Sequence, residues 1–148
     1  MELQLEDEAA TARLGEAVAR ELRRGDAVHL TGGLGAGKTT LARAAIRALT
    51  TPEEEAPSPT FTLVQTYDGP EFPIAHFDLY RLNGPEQARE LGLDEAVSEG
   101  AVLIEWPERL EGDRPSRHTL EVELAPAGEG RRARITPHGD WRRRELRL

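Results

Sequence analysis

Apolar positions in the first third of the chain follow two helical periods separated by one short apolar run. From about residue 8 to residue 22, apolar side chains recur every three or four positions, which predicts a helix with one buried face. Asp7 occupies the N-cap position of this helix, and Gly25 ends the segment. Residues 27–31, AVHLT, are typical of a buried strand, and a second helix is predicted over about residues 39–49.

Turn residues divide the middle of the chain into shorter elements. Three prolines and three consecutive glutamates make residues 50–59 an exposed loop. The runs 61–67 and 73–77 are separated by Asp-Gly-Pro and predict a hairpin. Residues 83–86, Asn-Gly-Pro-Glu, have the composition of a helix start, and Gly92 that of a helix end.

The last third of the chain alternates in a pattern typical of strands. Residues 101–105 predict another buried strand. Residues 118–125 place Leu, Val and Leu on one face, and after a turn at 126–130 the segment 131–136 is expected to pair back antiparallel. A chain of 148 residues is long enough for one ordinary core, so we predict a single domain, 1–148, that ends in a basic strand and tail, 131–148.

Composition excludes several classes of protein. With 38% hydrophobic and 31% charged residues, the chain has the balance of a soluble globular protein. Its longest aliphatic stretch, residues 101–104, is far shorter than the roughly 20 residues of a membrane span, and the acidic N-terminus lacks a secretory pattern, so we expect a cytosolic protein. The absence of cysteine excludes disulfides, thiolate nucleophiles and cysteine-bound metals, and the four histidines lack metal-ligand spacing.

Charge is distributed unevenly along the chain. The net charge is −8, yet seven arginines lie between residues 131 and 147 against only Asp140 and Glu145. Two interpretations stay open at this point: a surface that contacts a polyanion such as a nucleic acid, or an acidic partner, with Arg142, Arg143 and Arg144 assisting, or a solvated charged strand.

The strongest chemical signal is the segment GGLGAGKT at residues 32–39, between a predicted strand and a predicted helix. It fits the phosphate-binding pattern Gly-x4-Gly-Lys-Thr, in which glycines let the backbone amides surround a phosphate at a helix N-terminus. Lys38, the one lysine of the chain, would neutralise the β- and γ-phosphate oxygens, and Thr39 would offer its hydroxyl to Mg²⁺. We therefore expect ATP and Mg²⁺ as ligands.

Such a loop needs an acid at the end of a neighbouring strand. Glu105 ends the apolar run 101–104, and Asp78 ends another, so both are candidates and the sequence does not decide which one contacts Mg²⁺. Trp106 follows Glu105 and is expected at the rim of the site. Ser58-Pro-Thr60 precedes a strand, where segments that sense a γ-phosphate often lie, although a plain turn fits equally well.

Four segments in this order and spacing, GGLGAGKTT, SPTFTL, HFDLYRL and EWPER, resemble the bacterial TsaE (YjeE) family, over about residues 8–136. These proteins are small P-loop ATPases of tRNA threonylcarbamoyladenosine synthesis. The resemblance implies a P-loop NTPase-like three-layer α/β fold with a mixed, partly antiparallel central sheet. It also implies slow, Mg²⁺-dependent ATP hydrolysis beside the TsaD and TsaB subunits, which transfer the threonylcarbamoyl group to tRNA adenosine.

The resemblance also implies roles for single positions. Lys38 and Thr39 match the phosphate and magnesium residues, and Glu105 the magnesium acid. Asp78 matches the acid needed for hydrolysis, and Trp106 a tryptophan needed for activity. The implied nucleotide-binding set is Glu8, Gly32, Gly35, Ala36, Gly37, Lys38, Thr39, Thr40 and Arg131, with Glu8 and Arg131 near adenine and ribose.

One departure from the family pattern concerns Gly33, which stands where the family usually has aspartate. An acidic role at this position is in doubt, while the backbone loop is unaffected.

Two other functions are considered. A small P-loop metabolite kinase would need an arginine-bearing lid, for which residues 84–89 are the candidate segment. A non-catalytic ATP-sensing scaffold would bind nucleotide without turnover.

Overall fold

A seven-stranded mixed sheet forms the centre of the computed structural model, which describes residues 1–148. In chain order the strands are β1 (Glu2–Leu5), β2 (Ala27–Thr31), β3 (Val64–Asp68), β4 (Pro73–Asp78), β5 (Ala101–Glu105), β6 (Thr119–Ala127) and β7 (Gly130–Pro137). Their order across the sheet is β1-β7-β6-β2-β5-β4-β3. The central strands β6, β2, β5 and β4 are parallel. Strand β3 pairs antiparallel with β4, β7 pairs antiparallel with β6, and β1 pairs antiparallel with β7.

Helices cover both faces of this sheet. They are α1 (Glu8–Glu21), α2 (Lys38–Leu49), α3 (Pro85–Glu90) and α4 (Leu93–Glu99), together with 3-10 turns at Pro107–Leu110 and Gly139–Arg143. Helices α1 and α2 share one apolar core with Val28 and Leu30 of β2, and α3 and α4 share a second core with Ala27. Alternate residues of β2 thus point to opposite layers. The three-layer α/β fold with a mixed, partly antiparallel sheet is confirmed.

Helix α1 lies directly against α2. A side chain at Gly15 of α1 would place its Cβ 2.3 Å from the Leu41 carbonyl oxygen of α2, so only glycine permits this approach. Asp7 caps α1 as predicted, because its Oδ1 accepts from the Ala10 amide at 2.8 Å. No helix of the chain has the length and apolar character needed to cross a membrane.

One predicted boundary was wrong, and one helix was missed. Strand β3 begins at Val64 rather than at Phe61, because Leu63 adopts a left-handed φ of 71° and Phe61 is 82% exposed. The helix expected to start at residues 83–86 and to end at Gly92 is α3, and a second helix that the sequence did not predict, α4, follows it. Gly92, with a φ of 87°, turns the chain and precedes α4. The turn residues marked the hairpin and the end of α3. They did not indicate that Leu63 is left-handed or that a further helix follows Gly92.

The C-terminal tail folds back on the sheet. Trp141 is buried, and the guanidinium of Arg144 packs 4.5 Å from its ring centroid. Arg144 Nη1 donates to Asp26 Oδ2 at 2.6 Å and to the Glu21 carbonyl at 3.1 Å, and the Arg144 and Asp26 side chains are only 4% and 2% exposed. The prediction that Arg144 assists docking was therefore wrong, because this buried ion pair uses its charge inside the protein.

Other arginines of the tail remain outside the protein core. Arg134 and Arg147 are exposed and pair with carboxylates, including those of Glu2 and Glu145, whereas Arg132, Arg142 and Arg143 are exposed without an ion pair. Contact of the region 131–147 with tRNA stays a prediction that now rests on these three side chains.

Arg144→Ala is expected to destabilise the protein by about 3 kcal/mol, because it leaves a buried carboxylate without its partner. Burial already raises the pKa of Asp26, although Arg144 acts in the opposite direction. Urea unfolding would measure the change in the free energy of unfolding. The exposed Arg143→Ala is the matched control, for which we expect less than about 0.5 kcal/mol. Equal stability of the two variants would contradict a structural role for the pair.

A second buried polar group, His29 on β2, makes stability depend on pH. His29 is 5% exposed and its Nε2 has no hydrogen-bond partner. Burial lowers the pKa of His29 from 6.5 to about 4, and the nearby carboxylate of Glu121 opposes this only in part. Between those two pH values the unfolded chain binds a proton that the folded chain does not, so stability falls as the pH falls from 6.5 to 4.

His29→Gln should remove this part of the acid destabilisation, because the amide does not titrate. Between neutral pH and pH 4 the variant should lose about 3 kcal/mol less stability than the natural chain. Urea unfolding at several pH values would compare the two slopes. Parallel pH profiles would show that His29 does not titrate with folding.

Candidate functional site

The glycine loop between β2 and α2 has the backbone conformation of a phosphate-binding loop. Gly32, Gly35 and Gly37 have φ values of 142°, 76° and 107°, in the region that favours glycine. A Cβ at Gly32 would also lie 2.5 Å from the Leu124 carbonyl oxygen. Helix α2 begins at Lys38, immediately after the left-handed Gly37, so the amides of its first turn have no helical partner and point into the loop.

Lys38 is buried inside this loop. Its Nζ donates to the Gly33 carbonyl at 2.9 Å and to the Gly32 carbonyl, and lies 4.2 Å from the centroid of the Trp106 ring. Burial lowers the pKa of Lys38, whereas Glu105, Glu108 and Asp78 raise it. The partners of the ammonium are thus the neutral carbonyls of Gly32 and Gly33, which a negatively charged phosphate oxygen could replace.

Glu105 stands opposite the start of α2. The end of β5 lies beside the end of β2, with Glu105 in register with Leu30, which brings the carboxylate to the edge where the glycine loop starts. Thr39 Oγ1 donates to its two carboxylate oxygens at 3.0 and 3.1 Å. His76 Nε2 lies 2.7 Å from Glu105 Oε2, and both side chains are almost fully buried.

Asp78 lies next to Glu105, at the end of the adjacent parallel strand β4. Its Oδ2 accepts from Ser58 Oγ at 3.3 Å and Thr60 Oγ1 at 3.1 Å, and its Oδ1 accepts from the Tyr80 amide at 3.0 Å. The Ser58 and Thr60 hydroxyls are 2.9 Å apart. The segment 58–60 therefore fastens Asp78 and is part of the site rather than a plain turn.

Trp106 lies at the rim, where the sequence predicts it. It adopts a left-handed backbone with a φ of 61° immediately before Pro107, a conformation that costs energy in a non-glycine residue. Its ring packs edge-on against Tyr80, with centroids 4.8 Å apart and planes at 69°. The strained backbone places the indole over Lys38, which points to a functional requirement for that orientation.

Arg131 closes the opposite side of the loop. Its guanidinium crosses Gly37, where a Cβ would lie 2.9 Å from Nε, and it donates weakly to the Gly35 carbonyl at 3.5 Å and to Thr11 Oγ1 at 3.4 Å. Strand β7 and helix α1 thus meet over the glycine loop.

Two concavities meet at Thr40. A cleft of about 220 Å³ is lined by the glycine loop with Asp78, Glu105, Trp106 and Arg131. It is called the phosphate cleft, because its lining includes the phosphate-binding motif. An open groove of about 760 Å³ between α1 and α2 contains Glu8. Thr40 lines both, so the groove continues from the phosphate end of the site. Glu8 does not lie in the smaller cleft; it lies along this continuation.

The oxygen donors fit Mg²⁺ bound together with a phosphate. The Thr39 hydroxyl and the Glu105 carboxylate are hard oxygen ligands in contact. No three His, Asp or Glu side chains converge in a group that could hold a metal ion on their own. Thr39 bonds to Glu105, whereas Asp78 bonds to Ser58, Thr60 and Tyr80. Glu105 is therefore the acid that lies beside Thr39.

Two residues of the site were missed in the sequence. His76 reads as one more polar position in a strand, and Tyr80 as an ordinary aromatic residue. Both lie in the segment HFDLYRL, two positions before and two after Asp78. The period of a strand places alternate residues on one face, so this spacing was the available signal for His76.

Strand β2, the glycine loop and α2, with acids at the ends of two neighbouring parallel strands, define an α/β protein of the P-loop NTPase type. Residues 5–134 match the family described as threonylcarbamoyl adenosine biosynthesis protein TsaE. The chain belongs to the TsaE family, which is named for its part in synthesis of this modified tRNA nucleoside.

Individual relatives agree with this assignment. The tRNA threonylcarbamoyladenosine biosynthesis protein TsaE of Rickettsia felis is 44% identical over 133 residues, which cover 86% of this chain and 74% of that protein. The protein of the same name from Aquifex aeolicus is 38% identical over 124 residues, covering 83% and 86%. The crystal structure of Bacillus subtilis YdiB matches with a TM-score of 0.79 at 28% identity, covering 97% of this chain and 89% of that one.

Proposed function

We propose that this protein binds ATP with Mg²⁺ and hydrolyses it slowly, and that the hydrolysis serves threonylcarbamoyl transfer to tRNA adenosine beside TsaD and TsaB. The observation that carries the proposal is the convergence of Lys38, the Thr39–Glu105 pair and Asp78 around one glycine loop. Family membership supports the role in tRNA modification.

Each side chain has a distinct part in this chemistry. The loop amides bind the β-phosphate, and Lys38 leaves its carbonyl partners to neutralise the γ-phosphate oxygens. Thr39 and Glu105 hold Mg²⁺, which when bound screens the phosphate charge as it redistributes. Water attacks the γ-phosphorus, the bond to the ADP oxygen breaks, and the proton of the water passes to Asp78.

The contacts of Asp78 account for slow turnover by the free chain. Two hydroxyls and one amide bond to its two oxygens, so these donors compete with an attacking water for the carboxylate. A partner that moves the segment 58–60 would release Oδ2. We therefore propose that TsaD and TsaB raise the rate by changing this segment.

The segment expected to form a lid in a kinase, residues 84–89, lies away from the phosphate cleft. Arg89, on helix α3, bonds to Asp113 Oδ2 at 2.8 Å and lines a separate cavity with Leu110 and Pro115. It does not line the phosphate cleft. The segment 84–89 thus offers no arginine over the nucleotide phosphates.

The test is Mg²⁺-dependent phosphate release from ATP by the purified chain, alone and with a purified TsaD–TsaB complex. Stimulation by the partners that disappears when Lys38 is replaced would support the proposal. Tight ATP binding without turnover in either condition would instead support the scaffold function. ADP formation that depends on an added metabolite would support a kinase.

A further inference from the structure

One buried hydrogen bond of the site is not explained by the motif residues. His76 lies in β4, in register with Leu103 of β5, and its side chain reaches along the sheet to Glu105, two positions further on the same face. The imidazole is fully buried, and the Nε2–Oε2 distance is 2.7 Å. Glu105 Oε2 is a hydrogen-bond acceptor, so Nε2 carries the hydrogen of this bond.

The rest of the imidazole has no other polar contact. Nδ1 is buried and has no hydrogen-bond partner. A buried polar atom without a partner costs free energy, and an aliphatic residue at position 76 would avoid that cost. The bond to Glu105 is therefore the one contact that accounts for a histidine here.

That bond restricts the rotation of the Glu105 carboxylate. Thr39 Oγ1 lies within 3.1 Å of both carboxylate oxygens, so it alone would not fix how the carboxylate rotates. His76 binds only Oε2. Oε2 is thus shared between His76 and Thr39, whereas Oε1 is bonded to the Thr39 hydroxyl alone.

We propose that His76 is a positioning residue that orients the Glu105 carboxylate so that Oε1 receives the nucleotide-bound Mg²⁺. The inference rests on the proposed function, since it assigns a role in that same metal site. Partners that hold a metal-binding side chain in place typically contribute about 10- to 100-fold to metal affinity. His76 should therefore affect Mg²⁺ binding and leave metal-free nucleotide binding unchanged.

Two substitutions separate this role from simple packing. His76→Gln can place its amide nitrogen near the position of Nε2, whereas the shorter His76→Asn ends near the position of Nδ1 and cannot reach Glu105. The probe is a fluorescent ATP analogue, bound with EDTA or over a Mg²⁺ titration. The Asn variant should need about 10- to 100-fold more Mg²⁺ for half of the metal effect. The Gln variant should stay within about threefold of the natural chain, and EDTA affinities should agree within about twofold for all three.

The outcomes are distinguishable. An Asn variant with the natural Mg²⁺ requirement overturns the inference about His76 alone, and so does a loss of affinity that is equal with EDTA and with Mg²⁺. Failure of the natural chain to bind the analogue, or binding that ignores Mg²⁺, overturns the proposed function as well.

A second measurement does not depend on either variant folding. Nitrogen-15 NMR of the imidazole of the natural chain should show the Nε2–H tautomer with a strongly hydrogen-bonded proton. Observation of the Nδ1–H tautomer would overturn the proposal, because Nε2 would then have no hydrogen to donate to Glu105.

Discussion

Lys38→Met is expected to lower Mg²⁺-dependent ATP hydrolysis about a thousandfold and to leave the fold intact. The loss is large because the Nζ of Lys38 is the one ammonium in the phosphate cleft, and it faces the charge that develops on the γ-phosphate. Methionine keeps the unbranched stem that packs beside Trp106 and removes the charge together with the hydrogen bonds to the Gly32 and Gly33 carbonyls.

The fold should survive this substitution because the charge of Lys38 does not stabilise it. Burial lowers the pKa of Lys38, which means that the folded state disfavours the charged ammonium. Removing that charge does not remove a source of stability, so the thermal transition should remain cooperative and close to that of the natural chain. Phosphate release and thermal unfolding measure the two properties on one sample.

Arg89→Met is the matched control for the loss of a cation. Arg89 is paired with Asp113 at an exposed position away from the phosphate cleft, so its replacement should leave hydrolysis unchanged. Hydrolysis by Lys38→Met within tenfold of the natural rate would refute the role given to Lys38. Loss of the cooperative transition would show that the lysine supports the fold.

The phosphate loop could be predicted because all of its signals are local. Residues 27–49 contain an apolar run, a glycine pattern and a helical period in immediate succession, and each one constrains the next. The predicted ends of β2 and α2 accordingly agree with the structure to within one residue.

Contacts between distant segments could not be read in the same way. His76 and Glu105 meet only because β4 and β5 are neighbours in one particular register, and a shift of one residue would place His76 on the other face. Asp26 and Arg144 are separated by most of the chain and meet only through the folded tail. A run of arginines in the sequence carries no sign that one of them is buried.

The roles of Glu105 and Asp78 could be distinguished from the structure but not from the sequence. Both acids end apolar strands, so their sequence contexts are equivalent. Their hydrogen-bond partners differ: Glu105 bonds to Thr39 and His76, whereas Asp78 bonds to Ser58, Thr60 and Tyr80. In the proposed function this difference gives the metal to one acid and the water to the other, and it makes the two acids separable by substitution.

Asp78→Asn is expected to reduce partner-stimulated hydrolysis by about 10²- to 10⁴-fold while Mg²⁺–ATP binding stays within about twofold. Asparagine retains an oxygen that can accept from the Tyr80 amide, so the local structure should persist. The substitution removes the capacity to take a proton from water. Phosphate release and a nucleotide-binding titration, each with TsaD and TsaB present, measure the two quantities separately.

Glu105→Gln supplies the comparison, because its main effect should be a higher Mg²⁺ requirement rather than a loss of rate at saturating Mg²⁺. If the two variants had the same Mg²⁺ requirement and the same rate at saturating Mg²⁺, the division of roles between the acids would be wrong.

Threonylcarbamoylation of tRNA by the complex then decides between a catalytic and a scaffold function. If Asp78→Asn stops hydrolysis but repeated rounds of modification continue at the natural rate, ATP only orders a docking surface. If modification stops with hydrolysis, ATP hydrolysis is coupled to the tRNA reaction.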